Sequence, residues 1–452
     1  MAQSRSGARG SDSVGSRVIA LLGSAVGLVL ILLVFSTVVV ATNVAKNPEI
    51  SPLDEYVYLD YLSKVPTQGF VRSGEETGEL ARQEIACRGV LGYGIYGDPC
   101  EGTSFDADPL YPYGGRTGAD IYAPVYFAVT WVAAQPLVAA GVGLLDAGRL
   151  VNILWLSAGA ILLLGLLRTL GVRRGVSLGL VLLTMATPAV FWSTTYVSTD
   201  APSLAVSAGL AWAGVAIYRG RLHPLWLPLL GVMAVLFKVQ NLAIVGLTAG
   251  ALLVMRVLDR YRAGTGRRLL ADRVIWVSVG TVVAGLAAQV AWLAFRSAET
   301  VPGTEAAAIV TSQAPLTLRG LLSESVRFIS AVGASGPSDV SPDLMGVLVV
   351  YALSALSIAA ILVALLRPAA VRPSTLVISA VTLVVALATG PALVIATYVL
   401  VGYYIPLPAR YGMVLLPAFL ACIALFLGSW GRRGSGAIAV VGAAAALVAL
   451  AT

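Results

Sequence analysis

The sequence predicts an all-α, polytopic membrane protein. Of its 452 residues, 58% are hydrophobic and only 12% are charged, against roughly 25% charge in a soluble domain. Mean hydropathy is +0.86. The arginines also fall in clusters between long apolar stretches, at 5–17, 168–174, 219–221, 256–273, 367–372 and 432–433. Under the positive-inside rule such clusters mark cytoplasmic loops.

These two observations set an expected path through the bilayer. The Ser/Gly/Arg-rich tail 1–17 cannot bury a core and is expected to be disordered and cytoplasmic. Residues 18–45 lie uncharged between Arg17 and Lys46, which is enough for the roughly 20 residues of a spanning helix. That length favours a retained first helix over 18–42, the alternative being a cleaved signal with its core of about 7–15 residues. An extracytoplasmic loop follows over 43–148. Further spans are expected at 149–167, 176–192, 201–218, 224–238, 240–256, 274–295, 344–366, 374–399, 411–428 and 436–451. The total is about eleven within one domain over 18–452, with the N-terminus inside and the C-terminus outside.

The charges sort cleanly on this path. The cytoplasmic side takes 18 of the 30 Lys/Arg and only Asp12, Asp259 and Asp272, and the outer side takes 12 Lys/Arg and 20 Asp/Glu. The net charge of +7 therefore reflects sidedness and implies no nucleic-acid partner. Residues 121–144 are apolar enough to span, but a crossing there would invert every later loop. With Pro124, Pro136 and several aromatics they are expected to lie on or dip into the outer leaflet. A true span with a missed partner is the alternative.

Cys87 and Cys100 both fall in the outer loop, where oxidation is possible. They are expected to form a disulfide, with two free thiols as the alternative. Cys422 sits in an apolar helix as a packing residue. No Cys/His spacing suggests zinc, and Asp106-Ala107-Asp108 lacks the further ligands of a calcium loop. The single histidine, His223, lies in a cytoplasmic turn, which rules out a histidine-based triad on the outer face.

Ionisable groups at membrane depth are candidate functional residues. Asp54-Glu55 follows the first span, and a carboxylate at a cavity mouth can take a proton from a hydroxyl. Helical spacing would put Asp54, Tyr58 and Tyr61 on one face. Asp200 precedes Ala-Pro between two spans, where it also suits a helix cap. Lys238, followed by Gln240 and Asn241, is one of only three lysines and the sole charge in 225–255. It needs an anionic partner unless it snorkels to the interface. Arg410-Tyr411 opens a late span after YYIPLPA, and its planar guanidinium suits phosphate. The acidic stretch Asp98–Asp120, with Tyr111, Tyr113 and Arg116, reads as a solvated loop.

In this order the features resemble the GT-C superfamily of membrane glycosyltransferases. Asp54-Glu55 matches that family's acidic pair after the first helix. DIYAPVYF (120–127) is similar to its His-Pro-Pro-Leu-Tyr stretch, with the histidine absent. Gly148-Arg149-Leu150 resembles an Arg-Leu that opens the next span, Asp200 a second acid, Lys238 an internal lysine and Ala409-Arg410-Tyr411 a late Arg-Tyr. The resemblance implies inverting sugar transfer from a polyprenyl-phosphate donor to a cell-envelope glycan, lipid or protein at the outer face. Asp54 would be the base, Glu55, Tyr58 and Asp200 would orient substrate, and Lys238, Arg410 and Tyr411 would bind phosphate. No metal or other cofactor is required. A flippase of lipid-linked precursors or a non-catalytic assembly partner are the rival readings. The Arg-rich, Lys-poor composition points to a high-GC bacterial genome and a plasma membrane.

Overall fold

The structure, a computed structural model, describes residues 24–304, 314–329, 344–428 and 431–451. The tail 1–17 lies outside the described residues. The chain runs α1 (Ala25–Lys46), α2 (Glu55–Gln68), α3 (Glu79–Arg88), α4 (Val125–Ala139), α5 (Leu144–Leu150), α6 (Asn152–Thr169), α7 (Arg174–Met185), α8 (Pro188–Thr194) and α9 (Ser203–Tyr218). It continues through α10 (Trp226–Phe237), α11 (Leu242–Arg262), α12 (Arg273–Ala298), α13 (Leu318–Arg327), α14 (Leu344–Leu366), α15 (Pro373–Val401), α16 (Leu416–Leu427) and α17 (Arg432–Ala451). Among the described residues there is no strand beyond isolated bridges.

Among the described residues, eight helices are long and apolar enough to cross a membrane. The expected stretches at 201–218 and 224–238 are apolar helices but short, at 16 and 12 residues. They span about 24 and 18 Å at 1.5 Å per residue, less than a bilayer core of about 30 Å. The stretch 176–192 divides into α7 and α8, bent by 61°, because Pro188 opens a new helix under a Thr187 cap. The segment 121–144 is the 15-residue α4, also too short to cross by itself.

The spanning helices share one large apolar core, in which Leu163, Leu180, Ile244, Leu416 and Ile423 are sealed from solvent. Close approach depends on small residues, as expected between membrane helices. A side chain on Gly179 of α7 or on Gly442 of α17 would collide with the other helix's backbone.

A second core, separate in its packing, is built mainly from residues 50–127, with Leu145, Val197 and Ala201. Tyr61 of α2 stacks on Phe127 of α4 with ring centroids 3.9 Å apart. A Cys87–Cys100 disulfide closes the loop after α3. The buried Arg82 donates to the carbonyls of Phe105 and Gly115 at 3.1 and 3.0 Å and pairs with Asp108 at 2.6 Å. The 98–120 stretch is therefore held in place, solvated over 99–104 as expected but packed at Phe105, Tyr111 and Asp120. The end of α12 clamps this subdomain from the side. Arg296 pairs with Asp120, and Trp292 donates to the Ile121 carbonyl at 3.0 Å.

Inside the subdomain, the fully buried Asp60 accepts from Lys64 at 3.0 Å and from the Gly78 amide at 2.7 Å. Burial raises its carboxyl above the ordinary aspartate range, although Lys64 and the amide pull it down. An acid raised in the fold stabilises most below its unfolded pKa, and that contribution is lost as pH rises through the folded value. Lys64→Met removes the opposing charge. It should weaken the subdomain by on the order of 3 kcal/mol at neutral pH, as for one broken buried pair, with recovery on acidification. Limited proteolysis across pH measures this, and a variant whose cleavage rate does not respond to acid would refute it.

Candidate functional site

Four charged side chains, distant in sequence, meet where helices begin and end. Asp54 precedes α2, Asp200 precedes α9, Lys238 separates α10 from α11, and Arg410 opens the turn leading to α16. Each position is a local break in helix geometry. Lys238 is extended (φ −167°, ψ 133°), and the Ala234 carbonyl at the helix end accepts from both the Lys238 amide at 3.2 Å and the Asn241 side chain at 2.8 Å. Pro406 and Pro408 keep the chain out of helix before Arg410.

The charges form a continuous chain. Asp54 Oδ2 accepts from Arg410 Nη2 at 2.8 Å. Arg410 Nε lies 3.4 Å from Asp200 Oδ2, and Asp200 Oδ1 accepts from Lys238 Nζ at 2.5 Å. Side-chain exposure falls along this chain, from 30% at Asp54 through 15% at Arg410 and 7% at Asp200 to 1% at Lys238. A ligand arriving from water therefore meets Asp54 and Arg410 first. Lys238 does not snorkel, and it faces the rings of Tyr122 and Tyr411 at 5.8 and 5.1 Å. Asp200 does not cap α9, because the helix starts at Ser203 behind Pro202 and the Asp200 carboxylate turns to the cations.

Aromatic hydroxyls line the same place. The Tyr58 hydroxyl lies 3.4 Å from Asp54 Oδ2 and 3.1 Å from the Tyr122 hydroxyl, and it accepts from Thr199 at 3.4 Å. The Tyr113 phenol also lies beside Asp54, close enough to feel its charge. Burial, then the Asp54 charge, pushes the Tyr113 phenol up to about 12. Burial likewise raises Tyr58, helped by Tyr122 and Asp54. Both phenols stay protonated at neutral pH and can donate to the carboxylate. Tyr61 bonds instead to the Tyr122 carbonyl at 3.2 Å, away from Asp54.

Sequence reasoning placed Asp54, Tyr58, Asp200, Lys238, Arg410 and Tyr411 as candidates, and the fold brings all six together. It missed Tyr122 and Thr199, and it placed Tyr113 in a loop with no role. The only available signal for Tyr113 was its position before Gly114-Gly115 in an aromatic-rich turn.

Glu55 stands apart from this cluster. Arg149 forks onto it, Nε to Oε1 at 2.8 Å and Nη2 to Oε2 at 2.7 Å. The amides of Val197 and Ser51 donate to the same two oxygens at 2.7 and 2.8 Å. Both side chains are fully buried. Arg149 also reaches the carbonyls of Asn47 and Glu49 at 2.8 and 2.7 Å. All the acceptor positions of Glu55 are filled by its own chain, so its geometry is that of an anchor.

Asp54 and Tyr113 are the only non-glycine residues with positive φ among the described residues, at 66° and 59°. Such strain persists only where the surroundings enforce it, and it concentrates at functional sites. Here the side chains of the two strained residues interact with each other. No family model, curated protein or solved structure matches the chain.

Two outcomes follow from this geometry. Arg149→Met leaves a buried, unpaired carboxylate and should cost about 3–5 kcal/mol. Adding Glu55→Gln should return part of that in thermal unfolding, and losses that simply added would refute the coupling. At position 54, both Gly and Ala remove the carboxylate, but only Ala retains the left-handed penalty. Asp54→Ala should therefore be less stable than Asp54→Gly by about 1–2 kcal/mol, and equal melting would show that the backbone there is unstrained.

Proposed function

We propose that the chain is an inverting membrane glycosyltransferase that moves a sugar from a polyprenyl-phosphate donor to a cell-envelope acceptor. One observation carries this reading. A partly exposed carboxylate, Asp54, is joined directly to a graded pair of cations, Arg410 and Lys238, at one end of a membrane bundle. The reaction needs a base for a hydroxyl and positive charge for a departing phosphate, placed close together and away from bulk water.

In the proposed reaction an acceptor hydroxyl attacks the anomeric carbon as Asp54 takes its proton. The bond from that carbon to the phosphate oxygen breaks, and its electron pair leaves with polyprenyl phosphate. Arg410, which reaches solvent, meets the phosphate, and Lys238 behind Asp200 adds charge at depth. Tyr58 orients the carboxylate by donating to it, and the Tyr113 phenol lies beside it. Tyr411 shapes the cation pocket. Glu55, expected at first to orient substrate, is assigned to anchoring through Arg149. The proposal keeps eleven crossings, with α9 and α10 as short spans, the loop subdomain outside a bacterial plasma membrane, the N-terminus inside and the C-terminus outside.

The test is sugar transfer from a mixed pool of polyprenyl-phosphate sugars by membranes carrying wild type or Asp54→Asn at matched expression. Loss of a general base is expected to slow transfer by about 10²–10⁴-fold. Undiminished transfer by Asp54→Asn would remove Asp54 from the mechanism. Donor binding without transfer by the wild type, over a range of acceptors, would favour a carrier of lipid-linked precursors.

A further inference from the structure

The opposite end of the bundle holds a second constellation, which the proposed reaction does not use. Asp200 and Lys238 sit at the open ends of the hairpin formed by α9 and α10. The turn 219–225 closes that hairpin at its other end, about 20 Å away by helix length. There Ile217, Arg221, His223, Pro224, Arg256 and Val274 surround a cleft of about 340 Å³.

Three basic residues line it, Arg221, His223 and Arg256. Gly220, at φ 69°, ends α9 in the left-handed conformation. The amides of Gly220 and Arg221 then bond back to Ile217 and Ala216 at 2.9 and 2.8 Å. His223 Nδ1 accepts from the Leu225 amide at 3.4 Å, which leaves the other ring nitrogen as the donor. Arg256 comes from α11 with its guanidinium 5.9 Å from the Tyr218 ring centre. Its Nε is sealed from solvent and has no hydrogen-bond partner.

The nearby carboxylates are already engaged. Asp272 caps the Val274 amide at 3.0 Å and pairs with Arg260 at 2.9 Å, although it also feels the charge of Arg256. Asp259 interacts with the Tyr218 hydroxyl. Among the described residues, neither Arg221 nor Arg256 makes an ion pair. A recess with two guanidinium groups outside any ion pair, an imidazole donor and a buried N–H lacking an acceptor is complementary to a phosphate.

We propose that this cleft binds a phosphate group through Arg221, His223 and Arg256, supplied by an anionic lipid headgroup or by free phosphate. Leu225 and Trp226 on its rim are exposed, at 63% and 50%, as suits a site bordered by acyl chains at a membrane interface. The proposal does not depend on the glycosyltransferase reading.

The experiment uses the full chain purified in detergent and in nanodiscs. Inorganic phosphate is titrated against the detergent form, with thermal unfolding as the readout. Nanodiscs of phosphatidylcholine, with or without phosphatidylglycerol, are compared by native mass spectrometry for retained lipid. The wild type should retain phosphatidylglycerol in preference to phosphatidylcholine. Arg221→Gln with Arg256→Gln should lower retention by at least about tenfold, the effect of one lost charge-assisted hydrogen bond, and Arg219→Gln should not. Stabilisation by phosphate that the double variant loses, without lipid preference, would support the cleft with free phosphate as its ligand. Should the double variant misfold, His223→Ala, which alters an exposed side chain, should still weaken whichever ligand binds. Binding of neither phosphate nor phosphatidylglycerol, or equal binding by wild type and His223→Ala, overturns the proposal.

Discussion

The buried Glu55–Arg149 pair is the constraint on which the rest of the site depends. It joins four pieces of chain: the segment after α1, the start of α2, α5 and the stretch before Asp200. Two fully buried charges are expensive to desolvate, and a buried pair often adds little net stability over an apolar replacement. What the pair supplies is register. Each of its hydrogen bonds has one geometric solution, so α2 can begin at only one place and Asp54 is fixed one residue upstream. The left-handed backbone at Asp54 follows, since the chain must turn from the anchored Ser51 into an anchored helix.

The same anchoring explains how a loop subdomain and a membrane bundle can share one site. The bundle contributes Asp200, Lys238 and Arg410 from three helix breaks, and the loop subdomain contributes Asp54, Tyr58, Tyr113 and Tyr122. Arg82 holds the loop together from within, and Arg296 ties it to α12. Within the site the carboxylates and the cations alternate. Each buried charge then has an opposite neighbour, and the group nearest water is a carboxylate with tyrosine donors around it. A neutral cluster of this kind can admit an anion at Arg410 without leaving Lys238 unpaired at depth.

Much of this was legible from residue type alone. Asp54, Lys238 and Arg410 drew notice because charge is costly beside long apolar stretches, whatever the fold. Cys87 and Cys100 drew notice because both lie in the one long polar segment. Tyr113 and Tyr122 gave no such signal, because a tyrosine in a polar or interfacial segment is unremarkable until its neighbours are known. Glu55 misled for the opposite reason. It adjoins Asp54 and has the same chemistry, yet successive residues at a helix start point in different directions, one into the cluster and the other onto Arg149.

Hydropathy and charge distribution by themselves determined an all-helical membrane protein with a large polar loop after its first helix. Those properties are sums over the local cost of placing each residue in lipid or water, so they need no knowledge of contacts. Only the tertiary structure decided which helices are too short to cross alone, that the loop is a packed subdomain, and which of two adjacent acids faces the cations. Those outcomes depend on pairings across as many as 356 residues of chain, as between Asp54 and Arg410. Directional hydrogen bonds and steric fit select such pairings, and neither is written in the local pattern of the sequence.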